Sequence, residues 1–214
     1  KIVKRPAPIE TLSSPELQLL SAAGTQVLHE SAVAPVRERQ IPLHIRSTFA
    51  PDAPGTRIGF DAPASLSASG VIGFAGRRPV SMLRVIFPEN TEETALWEVR
   101  ACLNEHRIET FHSACGVEGL CLLLSSGAES DTLHAAAEQL RERFPDAKVK
   151  LRENLAVLLT LYRSTKDIPK LSAAIEASGA PVHHLVQTPP GAMFCVNDSQ
   201  YEQALRAAYG AAFA

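Results

Sequence analysis

The sequence lacks several features that would assign it to a particular class of protein. Its 214 residues include four cysteines, and these show none of the spacings that are typical of a zinc site. No apolar run approaches the roughly 20 residues that a membrane-spanning helix needs, and no signal-peptide pattern opens the sequence. The formal net charge of -2 gives no electrostatic reason to expect nucleic acid or a membrane as a partner. We therefore predict a reducing compartment, by default the cytoplasm.

The motifs of common enzyme classes are missing as well. We find no nucleophile elbow, P-loop or dinucleotide fingerprint. His183 and His184 are adjacent, but successive strand residues point to opposite faces of a sheet, so the pair is a poor chelate for one ion. We therefore predict neither catalytic nor metal-ligating residues. Because Lys1 rather than Met opens the sequence, we expect it to begin inside a longer product or to have lost a leader.

The first sixty residues predict two helices and a short strand. Ser14 before Pro15 is typical of a helix N-cap followed by proline in the first turn, and Gly24 is a suitable C-cap. A second helix is predicted from about Glu30 to Arg39, and Ile41–Ile45 alternates as a strand does. This part of the sequence therefore mixes helix and strand.

After a Pro- and Gly-rich linker over residues 50–64, a βαββα(β) pattern occurs twice, with the final strand predicted in the first copy. The strands of the first copy are predicted at Val80–Phe87, Ile108–Ala114, Leu120–Ser125 and Lys148–Leu151, and its helices at Thr91–Glu105 and Asp131–Phe144. The strands of the second copy are predicted at Leu155–Leu161, Val182–Val186 and Ala192–Val196, and its helices at Lys166–Ser178 and Ser199–Tyr209, with Gly210 as a helix stop. This element order is ferredoxin-like and predicts an α/β (α+β) fold.

The gap-free stretch from Ser13 to Gly59 resembles the last segment of an aspartate kinase catalytic domain, where that domain meets its regulatory modules. In that family the segment has the sense ELAxxGxxVLHxxAVxxAxxxxIPLxVRSTFxPxxPGTxI. The matching residues here are Leu19, Gly24, Val27, Leu28, His29, Ala32, Val33, Ile41, Pro42, Arg46, Ser47, Thr48, Phe49, Pro54, Gly55 and Thr56.

The tandem pattern that follows is similar to the paired ACT domains of the same family, which are small amino-acid-binding modules. The resemblance implies the end of a kinase domain with its linker over residues 1–62, a first ACT-like module over 63–151 and a second over 152–214. In the family the first module is inserted into the second. By that analogy, we expect strand Val71–Ala75 to join the sheet of the second module.

The resemblance implies a regulatory and dimerising part of an enzyme that phosphorylates L-aspartate with MgATP, in the route to lysine, threonine and methionine. The nucleotide motif of the family, of the sense KFGGTS, does not occur here, so we expect no phosphotransfer by this chain alone and no cofactor in it. The expected partners are a second copy bound through the ACT modules, a kinase domain or catalytic subunit, and lysine or threonine as effector.

The effector site implied by the resemblance falls on two segments of the first module. Its predicted residues are Glu89, Asn90, Thr91, Glu92, Thr94, Phe111, His112 and Ser113. Thr94 stands where the family has a glycine, and Phe111 stands where it has an acid. Carboxylates at the start of a helix interact favourably with the helix dipole, but they repel the carboxylate of an incoming ligand. Two interpretations stay open: a divergent effector site, and a charged capping turn without a ligand.

Residues Arg46, Ser47, Thr48 and Phe49 lie at the junction of the kinase segment and the linker. We predict that they couple the regulatory modules to the kinase domain. The alternative function is an assembly module that holds kinase domains together and binds no amino acid.

Overall fold

The computed structural model describes most of the chain. The described residues are 2–4, 6–24, 35–36, 38–59, 70–88, 92–116, 119–125 and 127–213. The predicted helix from Glu30 to Arg39 lies largely outside these residues, as does His29. Within them the chain forms two compact units. The terminal unit comprises Lys1–Arg77, Val157–Val196 and Gln200–Ala214, and the central unit comprises Arg78–Ala156 with Asn197–Ser199.

The terminal unit begins with a small three-stranded sheet and one helix. The strands are β1 (Thr11–Ser13), β2 (Leu43–Ile45) and β3 (Thr56–Gly59), in the order β1–β3–β2, and the helix is α1 (Ser14–Ala22). Strand β1 pairs with β3 in parallel, and β2 pairs with β3 in the antiparallel direction. Strand β3 lies inside residues 50–64, which were predicted to be a linker. That prediction was wrong for Thr56–Gly59, because this segment is paired with a strand on each side.

Helix α1 starts one residue earlier than the sequence predicted. Ser13, not Ser14, is the N-cap, and its hydroxyl accepts a hydrogen bond from the backbone N–H of Glu16 at 3.4 Å. The Glu16 carboxylate in turn accepts a hydrogen bond from the Ser13 N–H at 2.6 Å. This reciprocal capping box satisfies two N–H groups that the first turn of a helix leaves without partners.

The remaining strands form one six-stranded sheet in the order β5–β6–β4–β7–β9–β8. Its strands are β4 (Val71–Ile86), β5 (Thr110–Gly116), β6 (Gly119–Ser125), β7 (Lys148–Tyr162), β8 (His184–Thr188) and β9 (Gly191–Asn197). The helices are α2 (Glu92–Glu105), α3 (Ser130–Arg143), α4 (Ile168–Ala177) and α5 (Tyr201–Phe213), with 3-10 turns at Thr165–Asp167 and Asp198–Gln200. Strands β4 and β7 are each continuous where the sequence predicted two separate strands.

In the central unit the strand order is β5–β6–β4–β7, with β4 antiparallel to β6 and β6 antiparallel to β5. One face of this sheet packs against α2 and α3. The core is built mainly from leucine and valine side chains, including those of Leu83, Leu103, Leu122 and Leu140, which are at most 1% exposed. The order of strands and helices in this unit is that of a ferredoxin-like ACT module.

In the terminal unit the strand order is β4–β7–β9–β8, and α4 and α5 complete the module. The start of β4, including Val71, lies in this unit. Gly76 permits a close approach of α5, because a Cβ atom there would lie 1.8 Å from the Tyr201 hydroxyl oxygen. The domain boundaries at residues 62 and 151 stay a prediction.

Helix α5 does not stop at Gly210, as the sequence predicted, but continues to Phe213. The buried side chains of Ala208 and Ala212 flank the glycine, and the Phe213 ring lies 4.7 Å from the ring of Tyr209 between centroids. Packing on both sides of Gly210 therefore outweighs its helix propensity, which is lower than that of alanine by about 1 kcal/mol.

Candidate functional site

The predicted effector loop lies largely outside the described residues. Glu89, Asn90 and Thr91 are not among them, and Glu92 is described only as the first residue of α2. The side chain of Thr94, at the position where a glycine was expected, is exposed. The loop half of the site therefore stays a prediction.

The second half of the predicted site lies on β5, the terminal strand of the six-stranded sheet. Phe111, His112 and Ser113 are half-buried there. The register of β5 against β6 shifts between Thr110 and His112, which indicates a bulge. Bulges at sheet edges re-aim side chains and limit pairing, so this irregularity affects the three residues that were predicted to contact an effector.

Arg100 of α2 joins the predicted site, although the sequence analysis did not select it. Its guanidinium donates a hydrogen bond to the Ser113 hydroxyl at 2.8 Å, across the space between helix and edge strand. A planar guanidinium is suited to binding a carboxylate. Arg100 follows the buried Val99 on α2, and no local pattern in the sequence marks it as a binding residue.

His112 lies on the opposite face of β5 from Ser113, because side chains alternate along a strand. It pairs with Leu123, which in turn pairs with Met82, and both of these side chains are buried. The His112 Nε2 atom is buried and has no hydrogen-bond partner among the described residues. Burial lowers the pKa of His112 from its ordinary value of 6.5, since desolvation disfavours the imidazolium.

The predicted coupling segment forms an exposed turn after β2. The guanidinium of Arg46 donates hydrogen bonds to the carbonyl oxygens of Pro51 and Ala53, which closes the turn. The backbone N–H of Phe49 donates to the Ser47 hydroxyl at 3.3 Å. The Phe49 side chain is 99% exposed, so a large apolar ring projects from a turn that its neighbours hold in shape.

Gly55 fixes the exit from this turn. Its φ is +68°, in the left-handed region that favours glycine, and a Cβ atom there would lie 2.3 Å from the carbonyl oxygen of Ile45. Any other residue at the glycine position of the Pro54-Gly55-Thr56 motif would therefore clash with the backbone of β2.

Other site classes find no support in the described part of the chain. No group of three or more His, Cys, Asp or Glu side chains among the described residues is arranged to hold a metal ion. None of the described helices is long and apolar enough to span a membrane. Cys115 pairs with Leu120 across the β5–β6 hairpin, and the four cysteines are free thiols.

The sequence and the fold can both be compared with those of known proteins. No protein-family model matches the chain. Aspartokinase 3 of Bacillus subtilis is 23% identical over 220 residues, which cover 99% of this chain and 48% of that protein. Aspartokinase 1 of Arabidopsis thaliana is 40% identical over 57 residues, or 27% of this chain and 10% of that protein.

Solved structures agree with the sequence matches. The crystal structure of Clostridium acetobutylicum aspartate kinase superimposes with a TM-score of 0.85 at 23% identity, covering 99% of this chain and 50% of that one. The chain resembles aspartokinases along its whole length. The regulatory subunit of Thermus thermophilus aspartate kinase matches with a TM-score of 0.54 at 20% identity, covering 68% of this chain and 99% of the subunit. The chain therefore has the fold of the C-terminal, ACT-containing part of aspartokinases and spans about half the length of the Bacillus relative.

Proposed function

We propose that this chain is the regulatory and dimerising portion of an aspartate kinase. The whole enzyme transfers phosphate from MgATP to L-aspartate, giving 4-phospho-L-aspartate for lysine, threonine and methionine biosynthesis in the cytoplasm. The observation that carries this proposal is the fold match, which covers half of the Clostridium aspartate kinase and almost all of the Thermus regulatory subunit. The proposed role of this chain within that enzyme is control.

The proposed dimer forms by edge-to-edge pairing of β5 with its copy. Among the described residues, β5 is the terminal strand of the sheet and its strand partner is β6. The strand contains no proline, and it pairs regularly with β6 from His112 to Gly116, beyond the bulge, so this stretch can serve as a template for strand addition. Pairing of two copies would join two sheets into one and bring Ser113 and Arg100 of each copy to the shared boundary.

The proposed effector is a free amino acid, with lysine or threonine as the first candidates. The Arg100 guanidinium donates a hydrogen bond to the Ser113 hydroxyl at 2.8 Å, and these two groups would bind the carboxylate of the effector next to the predicted loop. Control of the enzyme then requires that the effector bind more tightly to one arrangement of the dimer than to another.

The exposed turn that carries Phe49 is the proposed contact with the kinase domain or catalytic subunit. A rigid aromatic side chain that is 99% exposed is well suited to act as an interface anchor. Arg46 holds the turn in shape through its two carbonyl contacts.

Light scattering coupled to size exclusion tests the proposed dimer. The unmodified chain should elute as a dimer, and Ala114→Lys on β5 should shift it to a monomer, because lysine on an edge strand opposes pairing. Ala173→Lys, at an exposed position of α4, is the matched control and should leave the dimer intact. A wild-type monomer at micromolar concentration, or a dimer that Ala114→Lys does not affect, contradicts the proposed interface.

A second candidate is an assembly module that binds no amino acid. It is favoured by one observation: the position at which the family has a glycine carries the side chain of Thr94. This candidate makes the same prediction for the dimer and the opposite prediction for amino-acid binding.

A further inference from the structure

The single tryptophan of the chain, Trp97, lies on the surface of the central unit. It belongs to α2, and its side chain is 70% exposed, although tryptophan is among the side chains that gain most from burial. Among the described residues of the central unit, it is the one large apolar side chain that is exposed to this degree. Its position therefore calls for a physical explanation.

One flank of α2 is occupied by α3. The Cys102 thiol donates a hydrogen bond to the carbonyl oxygen of Ala136 on α3, with the sulfur and oxygen 3.7 Å apart. The Glu105 carboxylate accepts a hydrogen bond from the side chain of Gln139 on α3 at 2.9 Å. These contacts fix which side of α2 faces inwards along the sheet.

The other flank of α2 faces the edge strand β5. Arg100 donates its hydrogen bond to Ser113 of β5 from this flank. Residues 97, 100 and 104 are spaced by three and four positions, so their side chains form one row along the helix. We call Trp97, Arg100 and Asn104 the outer row. Trp97 and Asn104 are exposed, so the outer row is open to a neighbour at the edge of the sheet.

Pairing of β5 with its copy supplies only part of the interface that a stable dimer needs. The stretch of β5 that pairs regularly with β6, His112–Gly116, has five residues. Stable interfaces between proteins take roughly 20–30 residues from each partner. Further contacts must therefore come from the elements beside β5, and on the helix-covered face of the sheet that element is α2.

The spacing of strands and helices brings two copies of α2 into contact in such a dimer. The buried Val99 of α2 belongs to the same core as Leu122 of β6, while Arg100 reaches β5, so the helix lies over these two strands. Because paired strands are about 4.8 Å apart, a helix over β5 and β6 lies about 5 Å from the two-fold axis between two paired β5 strands. The two helices would thus be about 10 Å apart, and packed helices are about 8–10 Å apart.

We infer that Trp97 anchors a contact between the α2 helices of two copies of this chain. The contact is isologous: the outer row of one copy packs against the outer row of the other, and both indole rings leave water. Each buried tryptophan contributes about 150–250 Å² to such an interface. This helix contact rests on the proposed pairing of β5 and names the second surface that the dimer uses.

Intrinsic fluorescence tests the contact directly, because Trp97 is the only tryptophan in the sequence. The unmodified chain is compared with the Ala114→Lys variant, which should be monomeric, and light scattering gives the mass of each. We expect the dimer to emit at shorter wavelength than the monomer and to be quenched less by acrylamide. A wild-type dimer whose emission and quenching equal those of the monomer contradicts the helix contact and leaves the pairing of β5 intact. A wild-type monomer contradicts both.

Trp97→Ala should raise the dissociation constant of the dimer by about thirtyfold, an effect typical of a tryptophan at the centre of an interface. Sedimentation equilibrium measures the constant. Because Trp97 is exposed and alanine is the best helix former, the variant should fold, which circular dichroism checks. Leu185→Ala, at an exposed leucine of β8, is the matched control and should leave the constant unchanged. An unchanged constant for Trp97→Ala, or an equal rise for Leu185→Ala, would overturn the assignment of Trp97 as the anchor.

Discussion

The carboxylate of Glu16 and the guanidinium of Arg163 form a buried ion pair between residues 147 positions apart in the sequence. The Nε and Nη2 groups of Arg163 donate hydrogen bonds to the two carboxylate oxygens of Glu16 at 3.2 and 3.4 Å. The Glu16 side chain is 4% exposed, and the Arg163 side chain is 13% exposed. The same carboxylate closes the capping box of α1. This pair therefore fastens the helix from the kinase-like segment to the end of β7 within the terminal unit.

Arg163→Met should destabilise the chain strongly, because it leaves the Glu16 carboxylate buried without its cation. Loss of one partner from a buried pair typically costs about 3–5 kcal/mol. The free energy of unfolding from urea titrations measures the effect. Glu202→Gln, which breaks the exposed Arg206–Glu202 pair, is the control and should cost less than about 1 kcal/mol. Equal, small effects for both variants would show that the buried pair contributes no more than a surface one.

Two glycine-to-alanine changes should have opposite effects on the free energy of unfolding. Gly76→Ala should unfold or strongly destabilise the terminal unit, because the new methyl group would overlap the Tyr201 ring and hydroxyl at 1.8–2.6 Å. Gly210→Ala should stabilise the chain by roughly 0.5–1 kcal/mol, since the site lies within α5 and no atom is within 4 Å of the added Cβ. Thermal unfolding of both variants measures this, and a destabilising Gly210→Ala would contradict helix continuation to Phe213.

Acid should destabilise the central unit through His112. Burial lowers the pKa of His112 in the folded chain below the value of 6.5 that it has in the unfolded chain. As the pH falls, the imidazole is therefore protonated in the unfolded chain before it is protonated in the folded chain, which favours unfolding. Stability attributable to this group is complete above that pH and falls as the pH drops towards the lowered folded value. His112→Leu should flatten the pH dependence of the urea midpoint between about pH 7 and 5. An unchanged slope would show that His112 is hydrated.

The four thiols should react at very different rates. Cys115 is exposed at the end of β5, whereas Cys102, Cys121 and Cys195 are buried. Burial raises the pKa of Cys121 to about 11, which removes the reactive thiolate at neutral pH. Iodoacetamide at pH 8 should therefore label one site in the folded chain and four in urea, as peptide mass analysis would report. Rapid labelling of Cys121 in the folded chain would contradict the pairing of β5 with β6.

Local patterns predicted the fold well where periodicity and turn residues agree. The strand and helix order of the central unit follows from the short apolar run of β6 and the helical spacing of apolar residues on α2. The continuity of β4 could not be predicted, because Arg77-Arg78-Pro79 looks like a break in the sequence, whereas the strand runs without interruption from Val71 to Ile86. Contacts that join distant segments, such as Glu16 with Arg163 or Arg100 with Ser113, leave no local pattern in the sequence.

The most direct test of the regulatory account is a calorimetric titration of this chain with lysine, threonine and methionine, with its mass in solution measured alongside. The account predicts that one of these amino acids binds a dimer saturably, and that Arg100→Met weakens binding by about tenfold, as loss of a charge-assisted hydrogen bond would. A dimer that binds none of the three contradicts effector control and favours an assembly module.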